Sequence, residues 1–380
     1  MDEGRIERMK VGVPREVKNH EYRVALTPAG VTELLRAGHE VVIEHDAGAG
    51  SLIPDADFKA AGAQILLNAD DVWGAADLVL KVKEPIAEEY HRMHSGQTLF
   101  TYLHLAASAE CTKALLSSGI DAVAYETVQL ADLSLPLLAP MSEVAGRMAP
   151  QCGAHSLERA QGGRGVLLGG VSGVYAATVV VIGAGVSGMN AAAIALGMQA
   201  EVILLDNNVE KLRAADRIYQ GHLQTVASNS YEVERAVLGA DLVIGAVLVP
   251  GAKAPTLVSN DLVSRMRPGS VLVDIAVDQG GCFEDTRPTT HDDPTYRVHN
   301  SVFYCVANMP GAVPNTSTYA LTNVTLPYVM SLANRGLQGA VAADPALAMG
   351  VNVVAGHVVY DHVATAHGLP YVPLEEALTG

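Results

Sequence analysis

The chain of 380 residues has only four cysteines, Cys111, Cys152, Cys282 and Cys305, which stand far apart without a CxxC pair. Zinc sites and disulfide scaffolds need close, paired spacings, so a reduced cytoplasmic protein with no structural metal is expected. Basic residues are also scarce. Lys and Arg total 25 against 41 Asp and Glu, and the resulting charge of −16 repels a phosphate backbone and argues against nucleic acid as a partner. The opening MDEGRIERMK lacks the apolar core of a signal peptide. No apolar run is long enough to span a membrane. The segment between Arg164 and Glu201 is uncharged, but eight glycines interrupt it. A buried parallel strand followed by a closely packed helix explains the same composition, so no membrane partner is expected.

What is present is a globular balance, 49% hydrophobic and 17% charged residues, in a chain long enough for two buried cores. Its first third alternates strand-like and helix-like segments. MKVGVP, HEVVIEHDAG, DLVLKVKEP, QTLFTYLHL and IDAVAYETVQL read as strands; DADFKAAGAQ and AECTKALLSSG read as helices. Thr27-Pro28 opens a further helix with a capping hydroxyl, and Gly38 closes it. A long helix near residues 141–162, kinked at Pro150, leads to a second alternation: TVVVIGAG, EVILLD, DLVIGAVLVPG, SVLVDIAVDQGG and SVFYCVANMP. STYALTNVTLPYVMSLANRG is another long helix, and the C-terminal helices are expected to return to the first domain. The expected fold is α/β, with two doubly wound domains joined by long helices and a cleft between them. Residues 1–136 plus 315–380 form one domain and 137–314 the other.

In VVVIGAGVSG the glycines Gly183, Gly185 and Gly188 make G-x-G-x-x-G after a β-branched strand and before a small-residue helix. Asp206 follows Gly188 by 18 residues, at the end of the next strand. The first glycine makes a tight turn, the second lets a pyrophosphate approach, and the third lets helix and strand pack closely. The pyrophosphate would sit at the helix N-terminus. Asp206 would accept from the adenine ribose and repel a 2′-phosphate, which favours NAD over NADP.

Four other polar residues stand near expected strand ends, where α/β sheets place their sites: Arg23, Lys83, His104 and Asp278. Singly, Lys83, His104 and Asp278 each have a plain structural alternative: a solvated lysine, a satisfied histidine, a helix-capping aspartate. In LVLKVKEP the lysines Lys81 and Lys83 share a face of the strand. They belong either to an edge strand with its lysines in water or to a strand end that delivers a cation to an anionic ligand. Together the four match an oxidative deamination. Arg23 or Lys83 would hold a carboxylate, and His104, of a residue type that titrates near neutrality, would be the general acid/base. Asp278 would manage the water or stabilise a cationic imine.

From residue 9 to about 380 the chain resembles the alanine dehydrogenase family. The likeness runs through VGVPREVKNHEYRVALTPAGV, LVLKVKEP, TYLHLAA, APMSEVAGRMA, the glycine turn, VLVPGAKAP, VLVDIAVDQGGCFE and VANMPGAVPNTSTYALTN. The resemblance implies two Rossmann-like domains, the outer one built from both chain ends, and a cytoplasmic homohexamer. It implies that L-alanine, water and NAD are converted reversibly to pyruvate, ammonium and NADH. Arg23 and Lys83 would bind the substrate carboxylate and carbonyl end, and His104 and Asp278 would be catalytic. Ser142, Asp206, Lys211, Ser228, Val247, Leu248 and Asn308 would line the NAD site. Lys81 receives no role. A related amino-acid dehydrogenase and a transhydrogenase-type NAD-binding domain are the alternatives, and the joint presence of Arg23, Lys83, His104 and Asp278 favours the dehydrogenase.

Overall fold

The computed structural model describes residues 8–247 and 255–379. Its strands are β1 (Lys10–Val13), β2 (Glu40–Glu44), β3 (Gln64–Leu66), β4 (Leu78–Leu80), β5 (Thr98–Thr101) and β6 (Asp121–Ala124). There follow β7 (Thr178–Ile182), β8 (Glu201–Asp206), β9 (Gln224–Ala227), β10 (Leu242–Gly245), β11 (Val271–Asp274), β12 (Thr295–Val298) and β13 (Ser301–Tyr304). Two more, β14 (Val351–Val354) and β15 (His357–Val358), complete the set. The chain divides into two compact units, one of Met1–Pro140 with Val313–Gly380 and one of Met141–Ala312.

The first unit holds an eight-stranded sheet in the order β15-β14-β6-β5-β4-β1-β2-β3, and the second a seven-stranded sheet in the order β12-β13-β11-β10-β7-β8-β9. Every pairing from β1 to β6 is parallel, as are those among β7 to β11 and β13; β12, β14 and β15 are antiparallel additions at the edges. Strand order therefore reverses between β1 and β4 in one sheet and between β7 and β10 in the other. Such switch points open a crevice at the carboxyl ends of the strands. The central strands TVVVI, LVIG and VLVD are buried almost throughout, because helices cover both faces of a parallel sheet.

Several local expectations need correction. The strand in LVLKVKEP stops at Leu80, and β4 is an interior strand between β1 and β5; its lysines are not on an edge. Thr27 stands at the N-cap of the helix Pro28–Arg36, but its side chain makes no capping hydrogen bond. The helix Ala139–Ser156 includes Pro150 and ends six residues short of the expected 162. The long C-terminal helix, Pro314–Ala343, is interrupted at Gly336, whose φ of 64° is left-handed. The strands β14 and β15, in the C-terminal tail, were not anticipated, nor were β3, β9 and β12. The latter three are short and half exposed, so they lack the apolar signature of the central strands.

Candidate active site

The glycine turn lies between β7 and the helix Val186–Gly197, in the crevice of the second unit. Gly183 has φ 108°, and a side-chain carbon there would stand 2.6 Å from the Ala246 carbonyl oxygen. A side chain on Gly188 would run into the Gly183 carbonyl oxygen, whereas one on Gly185 would meet nothing within 4 Å. The outer glycines are thus required by the protein's own packing, and the middle one faces open space at a helix N-terminus. That combination fits a dinucleotide pyrophosphate. Asp206 ends β8, nearly buried, and accepts from Ala184 N and Asn208 N, both at 2.7 Å. Lys211 Nζ lies 3.9 Å from its Oδ2.

Ser228 follows β9 and donates its backbone N–H to the Asp206 carbonyl. Val247 follows β10, and Asn308 follows β13 with its carbonyl accepting from His291 Nε2 at 2.8 Å. Ser142 is half-buried in the helix Ala139–Ser156. All these belong to the second unit. Leu248 lies outside the described residues.

Asp278 is exposed in the short turn Val277–Gln279 after β11. Its neighbour Asp274, fully buried at the end of β11, accepts from Ala276 N at 3.0 Å, Cys282 N at 2.8 Å and Thr286 Oγ1 at 2.5 Å. Asp274 thereby pins both ends of the loop that carries Asp278. Burial raises its pKa, and the Thr286 hydroxyl works against that rise. Gly281, at φ +74°, leaves room for the carboxylate: a side chain there would come within 2.6 Å of Asp274 Oδ2.

In the first unit Arg23, Lys83 and His104 follow the adjacent strands β1, β4 and β5. Arg23 is 2% exposed, with Nε and Nη2 donating to Glu21 Oε1 and Oε2 at 2.6 and 2.5 Å. Burial opposes its charge, and Glu21 more than offsets that, so its pKa is raised. His104 has a left-handed backbone (φ 49°). Its N–H donates to Glu126 Oε1 at 2.6 Å, and its Nδ1 lies 3.9 Å from the same oxygen. The Tyr102 ring stacks on the imidazole, with centroids 5.9 Å apart. The buried Tyr102 phenol, raised by burial, also feels the charges of Arg23 and Glu126. Arg23 and His104 therefore flank one side chain. Lys83 is half-buried, and its carbonyl accepts from Thr101 Oγ1 at 3.0 Å.

Lys81 is 0% exposed, with Nζ 3.0 Å from Glu16 Oε2 and 2.9 Å from Glu89 Oε1. Burial opposes its charge, but the two carboxylates outweigh burial and raise its pKa. One ammonium does not balance two buried carboxylates, so burial also raises Glu16 despite the attraction of Lys81. Sequence reading missed Glu16, Glu21, Glu89 and Glu126. The one available signal was Lys81 itself, since a cation in an apolar segment requires an anion. The anion Glu16 is 65 residues away.

Among the described residues, His45, Asp46 and Asp55 bring potential metal-ligand atoms within 4.8 Å of one another. They form an exposed ion cluster in which Asp55, by its hydrogen bond, and then Asp46 raise the imidazole pKa. Burial pushes the Cys111, Cys282 and Cys305 thiols up to about 12, which leaves them unreactive at neutral pH. No helix among the described residues is long and apolar enough to cross a membrane.

Two family models, described as "Alanine dehydrogenase/PNT, N-terminal domain" and "C-terminal domain", match residues 12–145 and 149–361. The chain belongs to the alanine dehydrogenase/PNT family. Within it, the chain is 64% identical to the alanine dehydrogenase of Mycobacterium tuberculosis, over 96% of this chain and 98% of that protein. Against the alanine dehydrogenase of Geobacillus stearothermophilus the identity is 54%, over 98% and 100%. A solved L-alanine dehydrogenase superimposes with a TM-score of 0.92 at 53% identity, covering 95% of this chain and 99% of that one. A transhydrogenase from Sinorhizobium meliloti gives 0.77 at 26% identity, covering 92% and 99%.

Two outcomes follow for this alanine dehydrogenase/PNT chain. Gly188→Ala should give insoluble or misfolded protein, whereas Gly185→Ala should keep the wild-type melting temperature and bind NADH about tenfold or more weakly by titration calorimetry. Lys81→Met leaves two buried carboxylates unpaired and should cost about 3–5 kcal/mol in a denaturant titration. Glu16, raised by burial above its unfolded value, stabilises only while protonated once Lys81 is gone, so that deficit should be larger at pH 8 than at pH 5.

Proposed function

We propose that this chain is an NAD-dependent L-alanine dehydrogenase, which converts L-alanine and water reversibly to pyruvate and ammonium. The observation that carries the reading is near-full-length identity to proteins named alanine dehydrogenase, which spans both units. The lower likeness to the transhydrogenase gives the alternative no comparable support.

NAD supplies the hydride acceptor, held by the glycine turn, with Ser142, Asp206, Lys211, Ser228, Val247, Leu248 and Asn308 around it. Arg23 and Lys83 hold the substrate carboxylate and carbonyl end, and Glu21 fixes the plane of the Arg23 guanidinium. Loss of hydride from the α-carbon leaves a cationic imine, which Asp278 stabilises. His104 takes a proton from the attacking water, returns it to nitrogen, and then takes the hydroxyl proton as the carbinolamine collapses to pyruvate and ammonia. Glu126 Oε1, 3.9 Å from His104 Nδ1, faces the positive charge that the imidazole carries midway. Tyr102 and Glu126 together keep the ring oriented.

We also infer a cytoplasmic homohexamer. Its support, besides the family resemblance, is an apolar group on residues 167–175, where Leu167, Val171, Val174 and Tyr175 are exposed by 61–92%; such patches mark interaction surfaces. Light scattering should give six times the chain mass, and a monomer would refute the inference.

NADH formation should appear with L-alanine well above other L-amino acids and with NAD well above NADP. Because deamination releases a proton, its equilibrium should move toward pyruvate by about tenfold per pH unit. His104→Ala should lose about 10²–10⁴-fold in turnover and still bind NADH. No turnover of alanine by the wild-type protein would refute the reading.

A further inference from the structure

We propose that Glu16, paired with the Lys81 ammonium that Glu89 also contacts, is the positioning residue that sets where Lys83 stands. The role rests on the reading above, in which Lys83 binds substrate.

The need for it arises at the switch point of the first sheet. Through Val79 the backbone is paired on both sides, with β1 and with β5, and Leu80 pairs with β5. Beyond it the β5 side continues: Lys81 N donates to Phe100 O, and Tyr102 N to Val82 O, each at 3.2 Å. On the other side β1 ends at Val13, and among the described residues no strand faces Val82 and Lys83. The Glu16 side chain stands in for one. Its Oε1 accepts from Val82 N at 2.6 Å and Lys83 N at 3.3 Å.

A carboxylate placed there is buried, 3% exposed, and needs a cation; Lys81 supplies it from the same segment. Glu89 closes the arrangement by accepting from Ile86 N at 3.1 Å while paired with Lys81. Residues 81–89 are thus tied at both ends to one ammonium. With Thr101 Oγ1 on its carbonyl and Glu16 on its N–H, the Lys83 backbone is fixed from both sides, and only its side chain is left to reach a ligand. Crevices of this kind ordinarily accommodate a ligand. In this sheet an internal ion group fills it and places the lysine beside it.

The test is steady-state kinetics with pyruvate, ammonium and NADH on the full-length protein. Glu16→Ala leaves Lys81 and Glu89 as a neutral pair and removes the acceptor. It should raise KM for pyruvate by about tenfold or more, leave KM for NADH within about twofold, and change kcat less than KM. Glu16→Gln, which restores an acceptor oxygen without the charge, should recover most of that loss. If Glu16→Ala is insoluble, Glu16→Asp serves, because it keeps the Lys81 pair and withdraws the oxygen from Lys83; the same rise in KM is expected. In the Lys83→Ala background Glu16→Ala should add little, since both act through one side chain. An unchanged pyruvate KM, full additivity with Lys83→Ala, or parallel loss of NADH affinity would each overturn the proposal. A wild-type protein without turnover would overturn the reaction assignment, and the positioning role with it.

Discussion

A parallel sheet ends all its strands on one side, and where strand order reverses, the loops leaving two neighbouring strands part in opposite directions. That constraint governs both units. In the second unit the gap between β7 and β10 receives the glycine turn, with Asp206 reaching it from β8 and Val247 following β10. In the first unit the gap between β1 and β4 receives Glu16 and Lys81, while Lys83 and His104 follow the neighbouring strands. One topology thus provides an open cradle in one unit and a filled, charge-paired crevice in the other.

The difference lies in side-chain volume and charge. Gly185 leaves space where a side chain would stand in solvent, at the positive end of a twelve-residue helix. Glu16, Lys81 and Glu89 fill the other gap with buried ions, an expensive use of interior space, since each ion gives up its hydration. The return is precision more than stability. Backbone N–H groups with no strand opposite them are satisfied by a carboxylate, and an interior ammonium keeps that carboxylate charged. Glu21 on Arg23, Glu126 on His104 and Asp274 beneath Asp278 repeat the theme: each polar group proposed for substrate chemistry stands on or beside an acid that fixes a backbone or a plane.

Local signals made much of this legible beforehand. The G-x-G-x-x-G turn was readable because three backbone requirements fall within six residues, and Asp206 because it ends the next strand. Lys83, His104 and Asp278 were readable as polar residues at the ends of apolar segments, and Arg23 as one just before the first helix. The supporting acids were not. Glu16, Glu21 and Glu89 lie in polar stretches where an acidic residue is unremarkable, Glu126 sits just past an apolar strand with no local sign of its partner, and Glu16 meets Lys81 only across a long span of chain. The reading of β4 as a longer strand ran on into a bend at Val82 and Lys83, where Lys81 N and Val82 O still pair with the β5 side and, among the described residues, no strand lies on the other.

The sequence alone determined the α/β class, the alternation of elements, the dinucleotide turn and the family to which the chain belongs, because these depend on contacts and geometry within short segments. The tertiary structure decided which strands are interior, where the strand order reverses, and that Lys81 is an interior ion while Lys83 keeps access to its surroundings. Two lysines of the same type, two residues apart, cannot be told apart by propensity or spacing. Their difference comes from which strand packs alongside, and that is set by the rest of the chain.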